Sequence, residues 1–149
     1  MIDAGFQVLA AVELDANAAK TLKRNCRSVS VIQADIRHVD ASDLRKKLRI
    51  RRGSLDLLKA CPPCQGWSTL GNTDINDPRN DLISEIARFV KEFQPKAVLL
   101  ENVPGLTNDD RFVSFVRVLR RAGYSVGVYL ADALDFGVPQ HRRRLIALA

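Results

Sequence analysis

The sequence predicts an α/β protein built on a parallel, doubly wound sheet, and three observations predict it. Short β-branched and leucine-rich runs alternate with amphipathic stretches of helical spacing, the order that feeds a parallel sheet. Three of these runs, at residues 7–14, 29–33 and 96–102, end at or just before an acid: Glu13, Asp35 and Glu101. A fourth run, 54–60, leads into Cys61-Pro62-Pro63-Cys64-Gln65-Gly66-Trp67-Ser68. That loop shows a thiol, Cys64, between prolines that cannot continue a strand and a glycine that permits an unusual backbone path. Open α/β sheets bind ligands outside the carboxyl ends of their strands, so all of these groups fall on one functional edge.

Each element has its own local reason. After the strand at 7–14, Asp15 can cap a helix whose inward positions are Ala18, Ala19, Leu22 and Cys26. Residues 43–53 carry a basic run in which Leu44 and Leu48 face inward while the charged side chains stay solvated. Beyond the Cys64 loop, 71–79 is polar and turn-rich, with Asn76-Asp77-Pro78. Leu82, Ile83, Ile86, Phe89, Val90 and Phe93 then form a helical stripe, capped by Asn80 or Asp81 and stopped at Gln94-Pro95. The strand at 96–102 is turned away by Val103-Pro104-Gly105. Asp109 or Asp110 opens a helix through Phe112, Val113, Val116 and Leu119, which Gly123 closes. Strands at 125–130 and 144–149 finish the chain, with the basic cluster Gln140-His141-Arg142-Arg143-Arg144 between them.

Composition narrows the class. The 149 residues suit one domain, and 23 Lys plus Arg against 17 Asp plus Glu give a net charge of +6, which permits a polyanionic partner. Three cysteines is an odd count, and Asp3 stands where a secretory leader wants basic residues, so a reducing, intracellular setting is expected. The longest apolar runs are about five residues against the ~20 that span a bilayer, so no membrane segment is expected.

Cys61 and Cys64 form a C-x-x-C, which admits several readings. A structural zinc site needs two more ligands, and Cys26, His38 and His141 offer no paired spacing, so no metal site is expected. A dithiol redox pair needs a helix start at the motif, which Gln65-Gly66-Trp67-Ser68 does not supply. An inert buried cysteine suits Cys26 and Cys61 better than Cys64. Glu101 alone reads as a buried acid paired with an arginine, and the arginines alone as surface charge or a phosphate patch. Together, a thiol, an acid at a neighbouring strand end and arginines entering the last strand can converge on one small electrophile.

Pro62-Pro63-Cys64-Gln65-Gly66-Trp67-Ser68, Glu101-Asn102-Val103-Pro104-Gly105 and Gln140-His141-Arg142-Arg143-Arg144, in this order, resemble the central motifs of the DNA (cytosine-5) methyltransferase family. Ala4-Gly5-Phe6, Glu13-Leu14-Asp15 and Ala34-Asp35-Ile36 are similar to that family's cofactor-side segments. The resemblance implies a doubly wound, Rossmann-like class I S-adenosylmethionine methyltransferase fold over residues 1–149, forming a partial catalytic domain. It implies that a cytosine is flipped out of double-stranded DNA, that the Cys64 thiolate adds to ring carbon 6, and that carbon 5 takes the methyl group of S-adenosylmethionine. Glu101 would hold a proton against ring nitrogen 3, Arg144 would contact the base or Glu101, and Arg142 would position the active-site loop or a DNA phosphate. On the cofactor side, Glu13 would hold the ribose hydroxyls, Leu14 and Ile36 would pack on the adenine, Asp35 would accept from its amino group, and Pro63 and Leu82 would line the pocket.

The same resemblance marks departures. Relatives begin with a strand and a phenylalanine-glycine loop that this sequence does not show, and they continue past the arginine motif into a target-recognition region and two closing motifs. Leu14 stands where many have an aromatic residue, and Cys61 where many have glycine. The absent first strand belongs between the strands at Val8 and Leu55, and an empty slot there leaves ladder groups unpaired at about 1–3 kcal/mol for each buried one. The chain is therefore expected to be a catalytic-core fragment, a truncated product, or half of a split enzyme completed by a second chain. Two other readings stand beside it: a non-catalytic nucleic-acid or partner-binding remnant, and cytosine methylation of transfer RNA. In a bacterium the enzyme would work in the cytoplasm on the nucleoid, in a eukaryote in the nucleus.

Overall fold

The computed structural model describes residues 1–63 and 81–149. The chain divides into two compact units, Met1–Ile50 and Arg51–Ala149.

In the first unit, β1 (Ala10–Glu13) pairs in parallel with β2 (Ser30–Gln33), Ala10 opposite Ser30 and Glu13 opposite Gln33. Parallel neighbours need a crossover, and α1 (Ala16–Asn25) provides it. The Asp15 carboxylate caps that helix by accepting from the Ala18 amide at 2.7 Å. Ala19 is buried and Leu22 and Cys26 half-buried, three positions on one helical stripe. Ala18, expected to face inward, is exposed, because it lies about 100° around the helix from Ala19. The basic run forms α2 (Ala41–Lys47), capped by Asp40 accepting from the Asp43 amide at 2.8 Å. Leu44 is buried and Leu48 half-buried, while Lys46 and Lys47 stay exposed, so the charge is the solvated side of an amphipathic helix.

The second unit holds β3 (Leu57–Ala60), α3 (Leu82–Phe93), β4 (Ala97–Asn102), α4 (Asp110–Arg121), β5 (Gly127–Asp132) and β6 (Arg143–Leu148). Its strands lie in the order β3-β4-β6-β5. β3 and β4 are parallel; β6 runs antiparallel to both β4 and β5. The α/β class holds, and the local reason for the antiparallel strand is the connection: residues 133–142 carry only a 3₁₀ turn, Ala133–Phe136, with no crossover helix to return the chain in parallel. The last two strands also begin and end somewhat differently from the predicted 125–130 and 144–149. The strands named on the two sides of the expected empty slot belong to separate sheets.

Val98 and Leu100 of β4 and Leu145 and Ala147 of β6 are buried with Ile83, Ile86 and Val90 of α3 and Phe112, Phe115, Val116 and Leu119 of α4. The predicted stripe of α3 is therefore its buried face, and the helix stops at Gln94, which takes φ 47° ahead of Pro95. Asp109, buried itself, caps α4 by accepting from the Arg111 amide at 2.7 Å and pairs with that residue's guanidinium. No helix is long and apolar enough to cross a membrane, among the described residues.

Candidate functional site at the strand ends

Strand alternation decides what the end of β4 presents. Val98, Leu100 and Asn102 point into the core, so Ala97, Leu99 and Glu101 take the other face of the sheet. On β6 the buried residues are Leu145 and Ala147, which leaves Arg144 and Ile146 on the face of Glu101. Glu101 stands opposite Ile146, and Arg144 is its diagonal neighbour, within reach of a long side chain. The Arg144 Nε lies 3.0 Å from Glu101 Oε1, with the side chains 24% and 31% exposed, and the Arg144 Nη1 donates to the Arg143 carbonyl at 2.8 Å.

The loop that leads to Cys64 is fastened to the same strand. Asn102, 5% exposed, donates from Nδ2 to the Pro62 carbonyl at 3.0 Å, and its Oδ1 accepts from the Val103 amide at 2.8 Å. Sequence reasoning gave Asn102 no role; its polar side chain in an inward position of an apolar strand was the available signal, since a buried amide demands partners. Ala60 of β3 stands opposite Leu100, so Cys61 comes up beside Glu101. Burial pushes the Cys61 thiol up from its ordinary value; the Glu101 carboxylate adds to this by charge and by accepting from the thiol, while Lys59 and the Glu101 amide work against it. Cys61 is therefore held as the thiol. Cys64, the rest of its loop, the turn-rich 71–79 and the alternative cap Asn80 lie outside the described residues.

The arginine cluster has an anchor that the sequence analysis did not name. Asp132, at the end of β5, accepts from the Arg142 amide at 3.0 Å and the Leu134 amide at 3.2 Å, and its Oδ2 is 3.2 Å from His141 Nδ1. The Ala133 amide donates back to the Arg142 carbonyl at 3.1 Å. These contacts, His141 first, hold the Asp132 carboxyl below its ordinary value. Arg142 is thus fixed through its backbone with an exposed side chain, whereas Arg144 is the arginine brought to Glu101.

In the first unit, Glu13 and Asp35 stand at the carboxyl ends of adjacent parallel strands, and the Ala34 amide donates to the Glu13 carbonyl at 3.1 Å. Glu13 Oε1 accepts from the Asp15 amide at 2.9 Å, and among the described residues its second oxygen is left for another donor. Leu14, directly after β1, is 65% exposed and offers an apolar face, and Ile36 is half-buried after Asp35. This donor-accepting, partly apolar set fits an adenosine. Asp35 is more engaged than the sequence analysis foresaw: Arg37 donates to it from its amide at 2.9 Å and from Nη2 at 2.6 Å, and holds its carboxyl at about 2. Pro63 and Leu82 belong to the second unit, where Pro63 is exposed one residue before Cys64 and Leu82 opens α3 half-buried.

A mixed sheet with acids at its strand ends and an arginine reaching one of them defines an α/β protein whose polar side chains gather at the strand ends. The profile of the C-5 cytosine-specific DNA methylases matches residues 1–149. The chain is 39% identical over 148 residues to Type II methyltransferase M.DdeI of Desulfomicrobium norvegicum, a match that covers 95% of this chain and 35% of the relative. It is 39% identical over 145 residues to Type II methyltransferase M.AgeI of Thalassovita gelatinovora, covering 95% of the chain and 34% of the relative. Among solved structures, a DNA modification methyltransferase encoded within an E. coli prophage superposes with TM-score 0.79 at 29% identity, over 97% of this chain and 40% of that one. Spodoptera frugiperda DNMT2 shares the fold, with TM-score 0.77 at 23% identity over 99% of this chain and 44% of that one. The chain belongs to the C-5 cytosine-specific DNA methylase family, and it spans about a third of the length of the two curated relatives.

Proposed function

We propose that residues 1–149 form the catalytic portion of an enzyme that methylates carbon 5 of cytosine in double-stranded DNA. The observation that carries this reading is the Glu101–Arg144 pair on the strand whose Asn102 holds the Pro62 carbonyl, two residues before Cys64. The cytosine is flipped from the duplex, because its ring edge is inaccessible within the stack. Cys64 attacks ring carbon 6 as a thiolate. Glu101 carries a proton at ring nitrogen 3, so the electron pair displaced by the attack does not accumulate as charge on the ring. Arg144 orients Glu101 through the 3.0 Å contact. Carbon 5 then forms its bond to the incoming methyl group and gives its own proton to a water, and the electron pair left behind restores the 5,6 double bond and expels Cys64 as its thiolate. S-adenosylmethionine, when bound, supplies that methyl group, with Glu13, Leu14, Asp35 and Ile36 of the first unit as residues that would hold its adenosine part.

The state of Cys61 supports Cys64 as the attacking thiol. Burial and the neighbouring Glu101 carboxylate push the Cys61 thiol up from its ordinary value, which disfavours its thiolate. Arg142, exposed on a backbone held by Asp132, is available to a phosphate or to the active-site loop.

The test is covalent trapping on duplex DNA containing 5-fluorocytosine, with S-adenosylmethionine, using the chain alone and the chain with the part of M.AgeI that it does not match. A gel-stable adduct that is lost in Cys64→Ser is the expected result. No adduct in either arrangement favours a non-catalytic nucleic-acid or partner-binding remnant, and an adduct formed only on 5-fluorocytosine transfer RNA moves the substrate to RNA.

A further inference from the structure

We propose that Cys61 is a positioning residue for Glu101, holding the carboxylate from the β3 side while Arg144 holds it from the β6 side. The role rests on the proposed function for what Glu101 does, and the arrangement itself rests on register. Ala60 pairs with Leu100, and Glu101 with Ile146, so three neighbouring strands in the order β3, β4, β6 bring Cys61, Glu101 and Arg144 into one row on the sheet face away from α3 and α4. Arg144 takes Oε1 at 3.0 Å. The register sets the Cys61 thiol beside the Glu101 carboxylate, and that neighbouring anion adds to the upward push on the thiol. Lys59 on β3 is the other charge that acts on Cys61.

A carboxyl group on a flexible Glu side chain, gripped by one guanidinium alone, swings toward that guanidinium. A second donor on the opposite flank limits the swing and fixes the carboxyl plane before the base arrives, which is orientation established in advance of reaction. Glycine at position 61, which the sequence resemblance places in many relatives, has no side-chain donor and leaves Arg144 alone to do this. The Cys-Pro-Pro-Cys spacing therefore has a meaning other than a redox pair: the second cysteine attacks, and the first aims the acid.

Two arms test this. In a Cys64→Ser chain, iodoacetamide labelling of Cys61 is followed against pH by peptide mass spectrometry, with and without Glu101→Gln. Labelling is expected to begin at lower pH once the carboxylate is gone, and an unchanged profile overturns the contact. In the complemented chain, methyl transfer to DNA is measured for Cys61→Ala and Cys61→Ser. Alanine is expected to lower kcat about tenfold, the scale of one orienting hydrogen bond, with KM for DNA kept, and serine to restore most of it because its hydroxyl donates in the same way. Equal kcat for the two variants, or a loss confined to KM, overturns the positioning role. A wild-type chain that methylates nothing while the labelling still responds to Glu101→Gln defeats the methyltransferase reading, and the positioning role with it, but leaves the contact standing.

Discussion

Replacing Arg144 by methionine and Glu101 by methionine, singly and together, measures how strongly the two are coupled. At 3.0 Å the bare attraction is about 1.4 kcal/mol with the dielectric of water and about 5.5 kcal/mol at an effective dielectric of 20. Desolvation and the freezing of two long side chains remove most of the larger figure. Exposures of 24% and 31% place the pair between a free surface bridge, worth about 0–1 kcal/mol, and a sealed one, whose rupture costs about 3–5 kcal/mol. The expected coupling is about 1–2 kcal/mol.

The assay is urea unfolding of the four proteins at low salt, combined as a double-mutant cycle. The cycle matters because Arg144 also donates to the Arg143 carbonyl; loss of that contact burdens the single mutant and the double mutant alike and cancels. Raising the salt toward ~1 M, where the screening length is ~3 Å, should shrink the coupling without abolishing it, since the pair is partly shielded from solvent. Additivity within about 0.3 kcal/mol at low salt would show that the arginine merely lies near the acid, and the account of Arg144 as its holder would be wrong.

Three further outcomes follow from the same contacts. Asn102→Ala removes the donor to the Pro62 carbonyl and the acceptor of the Val103 amide, and should destabilise by about 1–3 kcal/mol in urea unfolding; a loss under about 0.5 kcal/mol would mean the loop is not fastened there. Arg37→Ala should raise the Asp35 carboxyl from about 2 toward 3.8, read by carbon NMR titration. Because the folded value is the lower one, the stability linked to Asp35 is present above 3.8 and lost as pH falls through 2, so the variant should lose less stability than the wild type on acidification through that window. Asp132→Ala should speed hydrogen exchange at the Leu134 and Arg142 amides while leaving the Leu100 amide protected, and equal acceleration at all three would show global rather than local loosening.

Much of this was readable in the sequence because it depends on local rules. Asp15 caps α1 and Asp109 caps α4, Gln94-Pro95 stops α3, and the apolar stripe from Ile83 to Phe93 is the buried face of that helix. The acids at 13, 35 and 101 stand at strand ends because strand length is local too. What could not be read depends on which strands become neighbours. Nothing in the text of residues 59–64 announces that Cys61 will lie against Glu101, since that follows from the pairing of Ala60 with Leu100. The engagement of Asp35 by Arg37 is local, but an acid followed two residues later by an arginine is compatible with many geometries. The anchoring of Arg142 by Asp132 required the antiparallel return of β6, and the run at 144–149 carries no mark of direction.

That return is also what joins packing to chemistry. Side chains alternate along β6, so sliding it by one residue against β4 would exchange its two faces. Arg144 would then point among Phe112, Phe115 and Leu119, and Leu145, now fully buried, would emerge beside Glu101. Exposing Leu145 forfeits about 1.5–3 kcal/mol of burial, and driving a guanidinium into that core without its partner costs more. The sequence Arg144-Leu145-Ile146-Ala147 is therefore first of all a packing instruction. Leu145 and Ala147 lock the register through the core, and the locked register delivers Arg144 to the carboxylate on the opposite face. A substitution at Leu145 that weakens the lock should thus disturb Glu101 without touching it, which makes the buried residue between the arginine and its neighbouring isoleucine part of the site's construction.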